Sequence, residues 1–134
     1  MTEREFPAET SVLDEVLAFA EEQLEEAGCP MKTMMAVTVA IEEMFVNVAR
    51  YAYPEGGGSV TLSAQAQQGR SITFCLRDRG IPFDPLAKTD PDITLPAEER
   101  EIGGLGIYMM KKNMDEAAYS RENGENILSM TKYF

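Results

Sequence analysis

Glu43 and Asn47 stand four residues apart in the run Ile41-Glu42-Glu43-Met44-Phe45-Val46-Asn47. If that run is helical, the two side chains stack on one face, while Ile41, Phe45 and Val48 point elsewhere and can pack inward. A carboxylate above a carboxamide can serve one site. The carboxylate can take a proton or orient a water, and the amide oxygen can ligate a hard cation such as Mg²⁺. The same spacing suits a plain solvated helix face, so the pair needs context. Two later stretches supply it. Gly103-Gly104-Leu105-Gly106 stands just before a helical pattern. Glycines there let the backbone approach an anion, and the helix start presents free N–H groups to it. Such glycines serve a tight loop-to-helix turn equally well. The spacing matches neither the dinucleotide fingerprint nor the P-loop.

The third stretch is Asp78-Arg79-Gly80. Asp-x-Gly is commonplace in turns. Here, though, Asp78 continues the phase of Ile72, Phe74 and Leu76, so it faces inward at a strand end. A buried carboxylate without a partner is costly. At a pocket floor its acceptors would suit an amino group such as the N6 of adenine, with Gly80 leaving room for a flat base.

The elements that must position these residues follow from periodicity. Residues 4–9 suggest an edge strand or an arm. Thr10-Ser11 offers an N-cap to a helix with Val12, Val16, Phe19, Ala20 and Leu24 inward and a Glu-rich outer face. Gly28 and Pro30 end it. A second helix runs from about Met31 to Ala52, with Met34, Val37, Ile41, Phe45 and Val48 as its apolar stripe. Its methionines read as core fillers. Tyr53 to Gly58 breaks it. Ser59–Ala66 and Ser71–Asp78 alternate as two strands joined at Gln67–Arg70. The first has Val60, Leu62, Ala64 and Ala66 on one face. Residues 86–102, interrupted by Pro91 and Pro96, form a long irregular connection, read as a lid. A third helix spans Ile107 to about Asn113. Strands at Glu116–Glu122 and Asn126–Tyr133 close the chain around an Asn123-Gly124 turn.

Composition narrows the chemistry. The 134 residues suit one domain, 1–134, with one core, and 44% hydrophobic content predicts a globular fold. A net charge of −11 argues against a nucleic-acid backbone as partner. It fits a basic protein, or a polyanion screened by Mg²⁺. With no His in the chain, acid–base work falls to carboxylates, Lys, Tyr or Cys. Cys29 and Cys75 read as buried or half-buried free thiols. The N-terminus has no signal-peptide character and no apolar run approaches membrane-spanning length, so a cytoplasmic protein without membrane contact is expected.

In this order, the motifs resemble those of the GHKL (Bergerat-fold) ATPase superfamily. The likeness runs from about Phe6 to Phe134 and is strongest to its small single-domain branch, the anti-sigma-factor serine kinases. EEMFVNVARYAYP looks like the N box, DRGIPFDP the first glycine box and GGLGIYMMKK the second. The resemblance implies an α/β (α+β) two-layer sandwich, a mainly antiparallel sheet with helices on one face. It implies ATP and Mg²⁺ as cofactors, Glu43 as general base with Glu42 beside it non-catalytic, and Asn47 as the Mg²⁺ ligand. Asp78 would bind the adenine amino group, with Gly80 packing beside the base. Gly103, Gly104, Leu105 and Gly106 would hold phosphates, and Thr131 on the last strand would support the adenine contact. Lys111 and Lys112 are read as exposed helix residues within reach of a phosphate. The implied activity is phosphorylation of an anti-anti-sigma (STAS) protein, with a sigma factor as second partner and a homodimer as assembly. Alternatives are a non-catalytic nucleotide-dependent binding module, an ATPase without a protein acceptor, or a detached domain acting on His. Two departures stand out. Tyr51 occupies a position where many kinase members carry His, and Pro82 replaces the second Gly of the DxGxG pattern. Neither removes the base, the metal ligand or the adenine Asp.

Overall fold

Period-two alternation in the strand Ser71–Asp78 (β3) turns Ile72, Phe74, Leu76 and Asp78 to one side, and all four are buried. In the computed structural model, which describes residues 1–87 and 104–134, β3 is the centre of a five-stranded antiparallel sheet. The other strands are β1 (Thr2–Pro7), β2 (Ser59–Gln67), β4 (Glu116–Glu122) and β5 (Glu125–Tyr133), in the spatial order β1-β2-β3-β5-β4. The register aligns side chains in rows on the covered face. Ala64, Phe74 and Met130 form one row, and Leu62, Leu76 and Leu128 the next. The third row is Val60, Asp78 and Asn126, where the apolar layer turns polar.

Three helices cover that face: α1 (Leu13–Glu26), α2 (Met31–Tyr51) and α3 (Gly104–Asn113). Val16, Phe19, Ala20 and Leu24 of α1 are buried, as helical spacing predicts. So are Met34, Val37, Ala40, Ile41, Met44 and Phe45 of α2, and Ile107 and Met110 of α3. Each large side chain so buried contributes about 1.5–3 kcal/mol against the exposed state. Phe6 of β1 meets Phe19 edge to face at 6.2 Å, which ties the outer strand to α1.

Local chemistry explains the joints. After α1, the Cys29 N–H bonds the Leu24 carbonyl and the Gly28 N–H bonds that of Glu25, with Gly28 at φ +80°. This is the left-handed stop that glycine permits. Asn123 (φ 53°) and Gly124 (φ 80°) form the tight β4–β5 hairpin turn. The start of α1 departs from expectation. Thr10–Val12 is a 3-10 turn, the helix begins at Leu13, and no side chain caps it. Ala66, in phase with the buried face, is exposed beside the hairpin turn. The third helix begins at Gly104, earlier than the apolar periodicity suggested. Most of the expected lid, and Gly103, lie outside the described residues. Among the described ones Pro85–Ala87 is a 3-10 turn. Cys29 and Cys75 are free thiols, and burial raises both above the ordinary value.

Tyr53 fastens the turn after α2. Its hydroxyl donates to the Ser59 carbonyl and accepts the Arg79 N–H at 2.7 Å. Its ring fills the space beside Gly58, where a Cβ would lie 2.3 Å from ring atoms. Burial, the largest cause, raises the phenol above its ordinary 10.0. Because the folded value is raised, this contribution is complete below the ordinary value and fades as pH climbs through the folded one. Tyr53→Phe is expected to cost about 1–2 kcal/mol at neutral pH, from the two lost hydrogen bonds. The gap between wild type and variant should narrow above about pH 10 in urea unfolding. A gap that stays constant across that range would refute this account of the half-buried phenol.

Candidate functional site

The polar row at the end of the covered face opens into a cavity of about 490 Å³ between the sheet and α2. Leu76, Asp78, Asn126 and Leu128 contribute from the sheet. Met44, Asn47, Val48 and Tyr51 contribute from α2, and Ile81 and Phe83 from the loop after β3. Its size and mostly apolar lining, with few polar groups, suit a small-molecule ligand.

Asp78 is 6% exposed. Its Oδ1 accepts the Gly80 N–H at 2.9 Å and the Asn126 Nδ2 at 3.0 Å. Among the described residues no hydrogen bond engages Oδ2, which leaves it as an acceptor for a ligand donor. Asn126 is equally buried. Its Nδ2 also donates to the Ile81 carbonyl at 2.9 Å. Its Oδ1 accepts the Phe83 N–H at 3.3 Å and the Tyr119 hydroxyl. Sequence reasoning missed both Asn126 and Tyr119. The available signal was the phase of β5: Asn126 precedes Leu128 and Met130 on the inward side, an inward polar group at a strand end like Asp78.

Gly80 serves packing. A Cβ there would lie 2.4 Å from the Ala52 carbonyl oxygen and 2.5 Å from the Ala52 Cβ, and the Ile81 N–H bonds that carbonyl at 2.9 Å. The room that Gly80 leaves is thus taken by the end of α2, and Gly80 is not part of the cavity lining, which corrects the expectation of room for a base. Thr131 is also corrected. It pairs with Thr73 on the opposite face of the sheet, where the two hydroxyls meet at 2.8 Å. It lies five residues along β5 from Asn126, on the order of 16 Å at strand rise, and does not reach the cavity.

Glu43 lies one turn before Asn47 on α2, outside the cavity lining and against α3. A Cβ on Gly106 would come within 2.7 Å of the Glu43 Oε2 and 3.3 Å of its Cβ. Gly104 and Leu105 share that first turn, Leu105 exposed. Here α3 has N–H groups without helical partners. Lys111 and Lys112 are in its last turn, and Lys112 sits over the Tyr108 ring at 5.5 Å. One helix therefore orders the motifs: Ala52 against Gly80, Asn47 on the cavity, Glu43 against Gly106. The nine steps from Glu43 to Ala52 span about 13.5 Å at helical rise. Among the described residues, no cluster of three or more His, Cys, Asp or Glu could hold a metal alone. Asn47 brings one amide group to the cavity lining.

The fold is that of an ATPase domain. The chain belongs to the histidine kinase-like ATPase domain family, whose profile matches residues 6–132. It is 32% identical over 99 residues to the serine-protein kinase RsbW of Bacillus cereus (strain B4264), covering 71% of this chain and 61% of that one. It is 30% identical over 110 residues to the RsbW of Bacillus mycoides (strain KBAB4), covering 79% and 68%. The chain thus matches somewhat under two thirds of the former relative's length. In fold it resembles the RsbU and RsbW domains of a Mycobacterium tuberculosis protein, with TM-score 0.63, 18% identity, and 98% of this chain against 32% of that one. It also resembles a chain of the SiaB–SiaC complex from Pseudomonas aeruginosa, with TM-score 0.55, 16% identity, and coverage of 100% and 90%. The two-layer sandwich expected from sequence is the fold observed. No described helix is long and apolar enough to cross a membrane.

The two glycine contacts differ in kind, and so should their substitutions. At Gly80 the obstacle is backbone, so Gly80→Ala should cost about 2–3 kcal/mol by overpacking. At Gly106 it is the far end of a flexible side chain, and alanine favours helix, so Gly106→Ala should stay within about 1 kcal/mol of wild type. Urea unfolding of both variants measures this. Equal costs would contradict the close approach at Ala52.

Proposed function

We propose that this chain is an ATP-dependent serine/threonine protein kinase of the anti-sigma type. Its phosphoacceptor would be an anti-anti-sigma (STAS) protein, and its second partner a sigma factor. The observation that carries the reading is the order of contacts along α2. The base end, the cation ligand and the proton acceptor follow one another in the sense that a nucleoside triphosphate requires. The serine-protein kinase names of the RsbW relatives support the acceptor chemistry. A cytoplasmic homodimer belongs to the same reading, on resemblance alone.

In this reading Asp78 Oδ2 accepts the exocyclic amino N–H of adenine, between apolar walls from Leu76, Leu128, Val48 and Ile81. Asn47 offers its amide oxygen to Mg²⁺, and the backbone N–H groups at the start of α3, with Gly103 before it, meet the phosphates. When bound, Mg²⁺ neutralises phosphate charge and holds the chain in line. Glu43, half-buried beside Gly106, accepts the proton of the acceptor hydroxyl. As it does, the hydroxyl oxygen bonds to the γ-phosphorus and the bridging P–O bond to ADP breaks. Positioning and charge neutralisation supply most of the rate.

Asp78→Asn should weaken ADP binding by about tenfold or more, since a charged acceptor is lost at a buried site. Titration calorimetry with Mg²⁺ measures it, and unchanged affinity would sink the adenine assignment. Glu43→Ala should keep ADP affinity while lowering phosphoryl transfer by about 10²–10⁴-fold, the usual contribution of a general base. The assay is labelled ATP with a STAS protein encoded nearby. Undiminished transfer would remove Glu43 as base, and binding without any transfer in wild type would point to a non-catalytic module.

A further inference from the structure

Asn113 ends α3, away from the cavity and beyond the glycine motif at the helix start. Its Nδ2 donates to the Ala36 carbonyl of α2 at 2.9 Å. A helix carbonyl has a second lone pair, and this bond uses it. The Asn113 carbonyl, left without a helical partner at the end of α3, accepts Lys132 Nζ of β5 at 2.8 Å. Nor is Asn113 the left-handed stop that asparagine can supply, because among the described non-glycine residues only Asn123 has positive φ. The side chain therefore acts between helices.

This tether is in phase with the contact at the other end of α3, where Gly106 stands against Glu43. Gly106 to Asn113 is seven residues, and so is Ala36 to Glu43. Each interval is about two turns, on the order of 10.5 Å. The two helices thus run antiparallel, with one face of each meeting the other at both ends. Between the contacts, on those faces, lie Ala40 and Met110, both fully buried. A methyl group and a flexible thioether chain offer little resistance to sliding along the axis. A hydrogen bond, which weakens with distance and angle, does resist it.

We propose that Asn113 is a positioning residue for the phosphate end of the site: through Ala36 it fixes the register of α3 on α2, and so holds the N–H groups at the start of α3 beside Glu43. The inference rests on the reading of that helix start as the phosphate-binding end. A slide by one helical rise, about 1.5 Å, exceeds the misplacement of about 1 Å that can cost a hundredfold in rate. Asp78 stands on β3, so a shift of α3 leaves the base end in place.

The test compares nucleotides that share adenine and differ in phosphates, by competition against a fluorescent nucleotide on the full chain with Mg²⁺. Wild type should bind a non-hydrolysable ATP analogue at least about tenfold more tightly than AMP, the effect of added charge-assisted hydrogen bonds. In Asn113→Ala that gain should shrink by about threefold or more, through weaker binding of the analogue, while AMP affinity stays within about twofold. A merely structural tether would lower the melting temperature and leave the gain unmoved. A folded Asn113→Ala protein whose gain shrinks less than about threefold overturns the inference while leaving the nucleotide site intact. Wild type without the tenfold gain overturns the underlying reading instead. If circular dichroism shows that Asn113→Ala does not fold, Asn113→Asp, which keeps the size and loses the donor, takes its place with the same expected outcomes. If neither folds, Asn113 serves folding and the inference falls.

Discussion

A carboxylate held under an apolar layer, at the end of the central strand, constrains everything near it. Asp78 cannot be buried there without donors. Gly80 supplies one from its own loop, and Asn126 supplies another from the adjacent strand. The requirement propagates. Asn126 satisfies its remaining groups with Ile81, Phe83 and Tyr119, which pins the loop after β3 to both β4 and β5. That loop then returns to α2 through Ile81 and Ala52. Arg121 adds a bond from Nη1 to the Gly80 carbonyl at 2.8 Å. A network in which most members are satisfied is stiff, so the acceptor left open among the described residues, Asp78 Oδ2, is held in place before any ligand arrives.

The long helix α2 converts that fixed point into a site. Its buried stripe from Met34 to Phe45 is locked onto the sheet, so the neighbouring face carrying Glu43 and Asn47 has no freedom to rotate. Its last residues meet Gly80, and a turn upstream of Asn47 it meets Gly106. Both glycines have a close neighbour where a Cβ would stand, but of unlike kinds. At Gly80 two backbones come within van der Waals range, and at Gly106 the vacancy holds a carboxylate. Glycine motifs that look alike in sequence therefore do different physical work.

Much of this was legible beforehand. The core faces of α1, α2, β3 and β5 follow from period, because a side chain's direction within one element depends only on its spacing along that element. The inward position of Asp78 follows from the same rule. Some readings failed where a neighbour intervened. Thr10-Ser11 looked like a cap, but the chain takes a 3-10 turn there and the helix starts without one. Thr131 was placed at the site by resemblance, yet β5 alternation sends it to the other face, paired with Thr73. Gly80 suggested room for a ligand, and helix packing uses that room.

What the sequence determined by itself is local: the elements, their buried faces and the residue types able to bind a base, a cation and phosphates. What the tertiary structure decided is which of those residues meet. Cross-strand register put Asn126 beside Asp78, 48 residues away in the chain. The docking of α2 put Ala52 on Gly80, and the docking of α3 put Gly106 on Glu43. The physical reason is that periodicity is written in the spacing of one segment, whereas register and docking are settled by packing between segments, where an error of one residue reverses the face presented.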